Sequence, residues 1–207
     1  MGWLVRLCIG WIGLCWSVGH AMNQNILVFG DSLSAAYGMP RESGWVALLQ
    51  QRLQTAAPGY RVLNLSLSGE TTQGGWYRFP QAIQRYQPRL VVLELGANDG
   101  LRGFDLTQTT ANLRQMIRAA RQADAQVLLL GVRLPANYGP VYRAKFRQVY
   151  ADLAQQESVA LVPLLLSGVA ESRDLMLPDG IHPNAAAQPR ILQNVWAELA
   201  PLLAPTG

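Results

Sequence analysis

The 207-residue chain carries 17 lysines and arginines against 13 aspartates and glutamates; half of it is hydrophobic and only 14% is charged. That length and composition suit one compact domain able to bury about two-thirds of its unfolded surface, and they exclude a disordered or low-complexity chain. All the basic residues except Lys145 are arginines, scattered along the chain. No nucleic-acid partner is therefore expected, and the net charge of +4 allows at most a transient attraction to an anionic membrane surface.

The first 21 residues differ in kind from the rest. A positive flank ends at Arg6, residues 7–18 are almost unbroken apolar, and Gly19-His20-Ala21 places small residues where a signal peptidase reads. This predicts a signal peptide cleaved after Ala21, the apolar run being shorter than the roughly 20 residues of a spanning helix. Cys8, Cys15 and His20 all lie within it. The mature chain, residues 22–207, is thus expected to hold no thiol and a single histidine, His182, which rules out a multi-histidine zinc site; no metal and no cofactor are expected.

From Asn25 onward short apolar runs alternate with longer amphipathic ones, the pattern of a parallel sheet with crossover helices and hence an α/β fold. Strands are predicted over 26–29, 61–65, 90–95, 127–132 and 159–163. Helices are predicted over 45–56, about 75–86, 108–123, 141–156 and 184–203. Neither a linker nor an internal repeat interrupts residues 22–207, which read as one domain.

In open parallel sheets ligands sit beyond the carboxyl ends of the strands, so the residues just after each strand are the ones to inspect. The first strand runs into Gly30-Asp31-Ser32-Leu33-Ser34, which offers either a serine nucleophile at the strand end or an ordinary capped turn. Leu177-Pro178-Asp179-Gly180-Ile181-His182-Pro183 places a carboxylate three residues before the histidine. A turn there lets Asp179 accept a hydrogen bond from the imidazole, fix its tautomer and stabilise the imidazolium formed when His182 takes a proton from Ser32. A nucleophilic serine also needs donors for the developing oxyanion, and the backbone N–H of Gly69 and the side chain of Asn98, after the second and third strands, are candidates.

Together, Gly30 to Ser34, Gly69, Gly96-Ala97-Asn98-Asp99 and Asp179 to Pro183 resemble the SGNH, or GDSL, hydrolase superfamily, with all four markers in the expected order over almost the whole mature chain. Further stretches resemble its bacterial branch of periplasmic thioesterases, lysophospholipases and secreted arylesterases: residues 94–104, 133–139, and 179–184 with Gln188-Pro189. Ala97 departs from the family, which often has a second glycine there. The resemblance implies a flavodoxin-like three-layer sandwich with a five-stranded parallel sheet in the order 2-1-3-4-5. It implies Ser32 as nucleophile, Asp179 and His182 as its partners, and Ser32 N–H, Gly69 N–H and the Asn98 amide as the oxyanion hole. It also implies a periplasmic or secreted esterase or thioesterase acting on small acyl or aryl esters and lipids; a monomer is expected. An α/β-hydrolase is excluded, because no G-x-S-x-G elbow is present.

Leu101, Phe104, Leu134, Pro135, Tyr138 and Leu177 fall in loops expected on the catalytic side, where they can line an acyl groove or pack beneath the loops. Two alternatives use the same crevice: a carbohydrate O-acetylesterase, which needs a more polar wall, and a non-catalytic exported lipid-binding protein.

Overall fold

The structure, a computed structural model, describes residues 24–203. The expected signal segment lies outside the described residues. At the centre of the sheet β1 (Asn25–Gly30) pairs with β3 (Leu90–Glu94), and β4 (Gln126–Leu130) lies on the far side of β3. β3 is buried along its whole length and β1 along all but its first residue, because helices cover both faces of the sheet. That two-sided burial is why these segments read as continuous apolar runs instead of alternating ones. The edge strands β2 (Arg61–Asn64) and β5 (Ala160–Val162) are shorter and more exposed. Every pairing is parallel and the order is β2-β1-β3-β4-β5, as expected.

Helices α1 (Trp45–Ala56) and α6 (Gln188–Leu199) pack together on one face; α2 (Thr72–Tyr86), α4 (Leu106–Gln122) and α5 (Pro140–Glu157) pack in a row on the other. Boundaries differ from the sequence expectation where local capping decides them. The Thr71 side chain accepts the Gly74 N–H and starts α2 before residue 75; Asp105 accepts the Thr107 N–H and starts α4 before residue 108. The final segment, expected as one helix over 184–203, breaks into a 3₁₀ turn at Ala185–Ala187, then α6, then a second 3₁₀ turn at Ala200–Leu203. Asn184 caps the first turn through Ala186 N, while Pro189 fits only the opening turn of the helix that follows.

A one-turn helix, α3 (Ala97–Leu101), occupies what the sequence suggested was a loop after β3. Gly96 enters it with φ 114°, and a side chain at Gly100 would come within 2.7 Å of Phe146 and 2.8 Å of Leu134, so glycine is what lets the turn lie this close to α5. Asp99, buried, ties the turn down by accepting the Thr72 N–H at 2.9 Å and the Thr72 hydroxyl, with Asn112 donating to the same hydroxyl at 3.1 Å. Removing this carboxylate leaves buried donors unpaired. Asp99→Ala is expected to lower the unfolding free energy by about 3 kcal/mol in urea denaturation. A loss below about 1 kcal/mol, the range of an ordinary surface change, would show that the network does not hold the turn.

Candidate active site

The catalytic edge of such a sheet is the one beyond its carboxyl ends, and β1 and β3 are neighbours there although the chain visits β2 between them. At the end of β1 the chain turns sharply: the Ala35 N–H bonds Asp31 O at 2.9 Å, the Leu33 N–H bonds the Asp31 carboxylate at 3.0 Å, and Ser32 is left half-buried at the bend. This is a side chain capping its own turn, as the plainer reading of Asp31 supposed. The same turn also presents Ser32 to the crevice.

Facing it, residues 176–183 form a loop closed by an antiparallel bridge between Met176 and Pro183, with Leu177 N–H donating to His182 O at 2.7 Å. Gly180 lies at φ 66°, in the left-handed region that favours glycine. The fold-back lets one Asp179 oxygen accept the backbone N–H groups of Ile181 and His182 at 2.9 and 3.0 Å, while the other contacts His182 Nδ1 at 2.7 Å. The opposite ring nitrogen, Nε2, lies 3.0 Å from Ser32 Oγ. Partial burial would raise the Asp179 carboxyl, but the hydrogen bonds from His182 and Ile181 and the imidazole charge outweigh it and hold the pKa at about 2. Because that value lies below the ordinary 3.8, the stabilisation exists above the ordinary value and is lost as pH falls toward 2. The Tyr37 ring rests against the imidazole, with centroids 4.3 Å apart and planes tilted by 37°. Nothing in the sequence singles out this contact.

The three candidate oxyanion donors come from three strand ends. Among the described residues neither the Ser32 N–H nor the Gly69 N–H has an acceptor. The Asn98 amide, on α3, bridges the segments that carry them: its Nδ2 donates to the Asp31 carboxylate at 3.0 Å and to Glu70 O at 2.9 Å. Residues 31 and 70 are the chain neighbours of Ser32 and Gly69, so Asn98 binds the two turns to each other. Gly69, at φ 80°, is exposed, with its carbonyl accepting Arg102 Nη2 at 3.3 Å.

A cavity of about 370 Å³ opens beside Ser32, Asn98 and His182. Three of the six expected wall residues, Leu101, Leu134 and Pro135, line it. The other three do not. Phe104 is exposed beyond the wall; Tyr138 donates its hydroxyl to Leu101 O at 2.7 Å and packs beneath the loops; Leu177 packs toward Gly38. In their place stand Val132, Leu166, Ala170, Met176 and Ile181, most of them from the irregular segment after β5, where no periodicity marks the inward side. Two arginines complete the lining. Arg133 pairs with Glu171 at 2.6 Å, whereas Arg143 donates Nε to Leu134 O at 3.0 Å and forms no ion pair among the described residues. No three His, Cys, Asp or Glu side chains converge as metal ligands among the described residues.

A carboxylate, an imidazole and a hydroxyl in this order and at these distances can pass a proton from one to the next, an arrangement suited to acyl transfer. Residues 28–189 match the GDSL-like Lipase/Acylhydrolase family. The esterase TesA of Pseudomonas aeruginosa is 50% identical over 197 residues, 95% of this chain and 98% of the relative. The thioesterase 1/protease 1/lysophospholipase L1 of Escherichia coli K12 is 43% identical over 183 residues, 88% of this chain and 86% of the relative. A crystal structure of TesA matches with a TM-score of 0.85 at 52% identity, covering 86% of this chain and 99% of that one. With the sheet order, the strand-end geometry and these likenesses in agreement, the chain belongs to the GDSL-like lipase/acylhydrolase family.

Proposed function

We propose that this chain hydrolyses carboxylic esters and thioesters of apolar acyl or aryl groups through an acyl-enzyme on Ser32. The observation that carries the reading is the path from Ser32 Oγ to His182 Nε2 at 3.0 Å and from His182 Nδ1 to Asp179 at 2.7 Å, opening at its serine end into the cavity. Ser32 Oγ attacks the carbonyl carbon as its proton passes to His182; Asp179 stabilises the imidazolium. The carbonyl oxygen takes the negative charge and is met by the free N–H groups of Ser32 and Gly69 and by the Asn98 amide, one N–H of which turns from Glu70 O to the substrate. Collapse of the adduct breaks the ester or thioester bond, and the imidazolium returns its proton to the leaving alcohol or thiol. Water then attacks the acyl-enzyme with His182 as base, releasing the acid and restoring Ser32.

The cavity is small among ligand pockets of about 300–1,000 Å³, and its wall of leucine, valine, methionine and isoleucine suits an acyl chain or aryl ring better than a sugar. Leu67, Phe104 and Ile181, exposed on loops, and Val141, exposed in the first turn of α5, favour lipid substrates met at a surface by transient contact. Residues 1–21 direct the chain out of the cytoplasm, away from abundant acyl-CoA, so lysophospholipids and other exogenous esters are the substrates we favour. Arg143, with no carboxylate partner among the described residues, supplies a cation for an anionic group such as a lysophospholipid phosphate.

Two measurements test this reading. In a chain-length series of p-nitrophenyl esters the mature wild type is expected to turn over, Ser32→Ala to show none, and Asn98→Ala to lose about 100- to 1,000-fold in kcat with little change in KM. A folded wild type that hydrolyses no acyl, thio or acetyl-sugar ester would overturn the catalytic reading in favour of ligand binding. For the anionic group, Arg143→Gln is expected to lower kcat/KM about fivefold for a lysophospholipid, as befits one partly exposed ion pair, and to leave a neutral monoacylglycerol unchanged. Equal losses on both substrates would remove the charge argument.

A further inference from the structure

The mechanism above leaves unused a fully buried carboxyl beside the site. Glu94 ends β3 directly against the nucleophile turn and is fully buried, as is Asp31. Its Oε2 accepts the Asp31 N–H at 3.2 Å and the Ser34 hydroxyl at 2.9 Å. Contact with β1 is close enough that a side chain at Gly30 would come within 2.7 Å of Oε2 and 2.9 Å of Glu94 O. Asp31 in turn accepts the Leu33 N–H on one oxygen and the Asn98 amide on the other, each at 3.0 Å. A chain of hydrogen bonds, buried except at its partly exposed last link, therefore runs from Glu94 through Asp31 to the amide assigned to the oxyanion hole.

We propose that Glu94 is a positioning residue of the reaction: in neutral form its carboxyl clamps the turn that presents Ser32 and, through Asp31, fixes the Asn98 amide. The proposal rests on the roles given above to Ser32 and Asn98.

Charge balance supports the neutral form. Among the described residues neither carboxyl forms an ion pair with lysine or arginine. Among the described residues the titratable groups facing the pair are His182 from the 176–183 loop and Tyr150 from α5, neither of them a permanent cation. Two ionised carboxylates without a counter-ion are too costly to bury, so one keeps a proton. Burial, and then the charge of Asp31, push Glu94 well above the ordinary carboxyl value. Burial also raises Asp31, but only to about 6, because Leu33 N–H, Glu94 and the His182 charge favour its ionised form. Both carboxyls are thus shifted upward, Glu94 the more, which places the retained proton on Glu94 and not on Asp31. The buried Glu94 Oε1 points the same way: it has no hydrogen-bond partner among the described residues, a cost that is far smaller for a neutral carboxyl than for a carboxylate.

A neutral, hydrogen-bonding Glu94 has a distinctive substitution pattern, since glutamine reproduces both its acceptor and its donor while alanine reproduces neither. Glu94→Ala is expected to lose between about 10- and 100-fold in kcat on a p-nitrophenyl ester, the effect of misplacing reacting groups, with KM within about threefold. Glu94→Gln is expected to stay within about threefold of wild type in both, by retaining the hydrogen bonds. Infrared difference spectroscopy of wild type against Glu94→Gln at neutral pH supplies a readout that does not depend on the alanine variant folding: the wild type should show a protonated-carboxyl band that the variant lacks. Full kcat in Glu94→Ala, a Glu94→Gln enzyme as impaired as Glu94→Ala, or absence of the carboxyl band would each overturn the proposal. Wild-type turnover with an indifferent Glu94→Ala would leave the reading of Ser32 standing, whereas a wild type with no turnover would remove that reading itself.

Discussion

Parallel pairing of five strands is the constraint on which everything else in this molecule depends. Because every strand points the same way, all the carboxyl ends fall on one edge, and residues far apart in the chain meet there. Ser32 and His182 are 150 residues apart in sequence and 3.0 Å apart in space. The connections out of β1, β2 and β3 deliver Ser32, Gly69 and Asn98; the long irregular segment after β5 delivers Asp179 and His182. An antiparallel sheet with the same residues would distribute them over two edges.

Precision at that edge comes from short-range hydrogen bonding in the turns, not from the sheet itself. Asp179 is held by two backbone N–H groups of its own turn as well as touching the imidazole, so the ring is oriented by the turn itself. Asn98 rides on a one-turn helix fixed by Asp99 from below and bonded to residues on both neighbouring turns. Such preorganisation matters because polar groups already held in place need little rearrangement when charge develops beside them.

Much of this was legible in the amino-acid sequence. Apolar runs buried on both faces gave the central strands, and Asp179, Gly180 and His182 carried enough local chemistry for their turn to be read as a carboxylate–histidine unit. Capping shifted helix starts by a few residues, and the turn holding Asn98 was too short to show a helical period. Half of the expected cavity wall lies elsewhere, because an apolar residue in a loop can face a cavity, the core or solvent with no periodic signal to distinguish them; Leu134, Tyr138 and Phe104 show these outcomes. Glu94 stands out as the one charged residue in an otherwise apolar strand, but its partners, Asp31 and Ser34, are 63 and 60 residues away and only the fold identifies them.

The central claim is that Ser32 is a nucleophile activated by His182. Its most direct test is labelling of the mature protein with a fluorophosphonate, followed by peptide mapping and comparison with His182→Ala. The account predicts a single adduct on Ser32, formed far more slowly in the variant. An adduct on a different serine, or equal labelling rates in the two proteins, would contradict it.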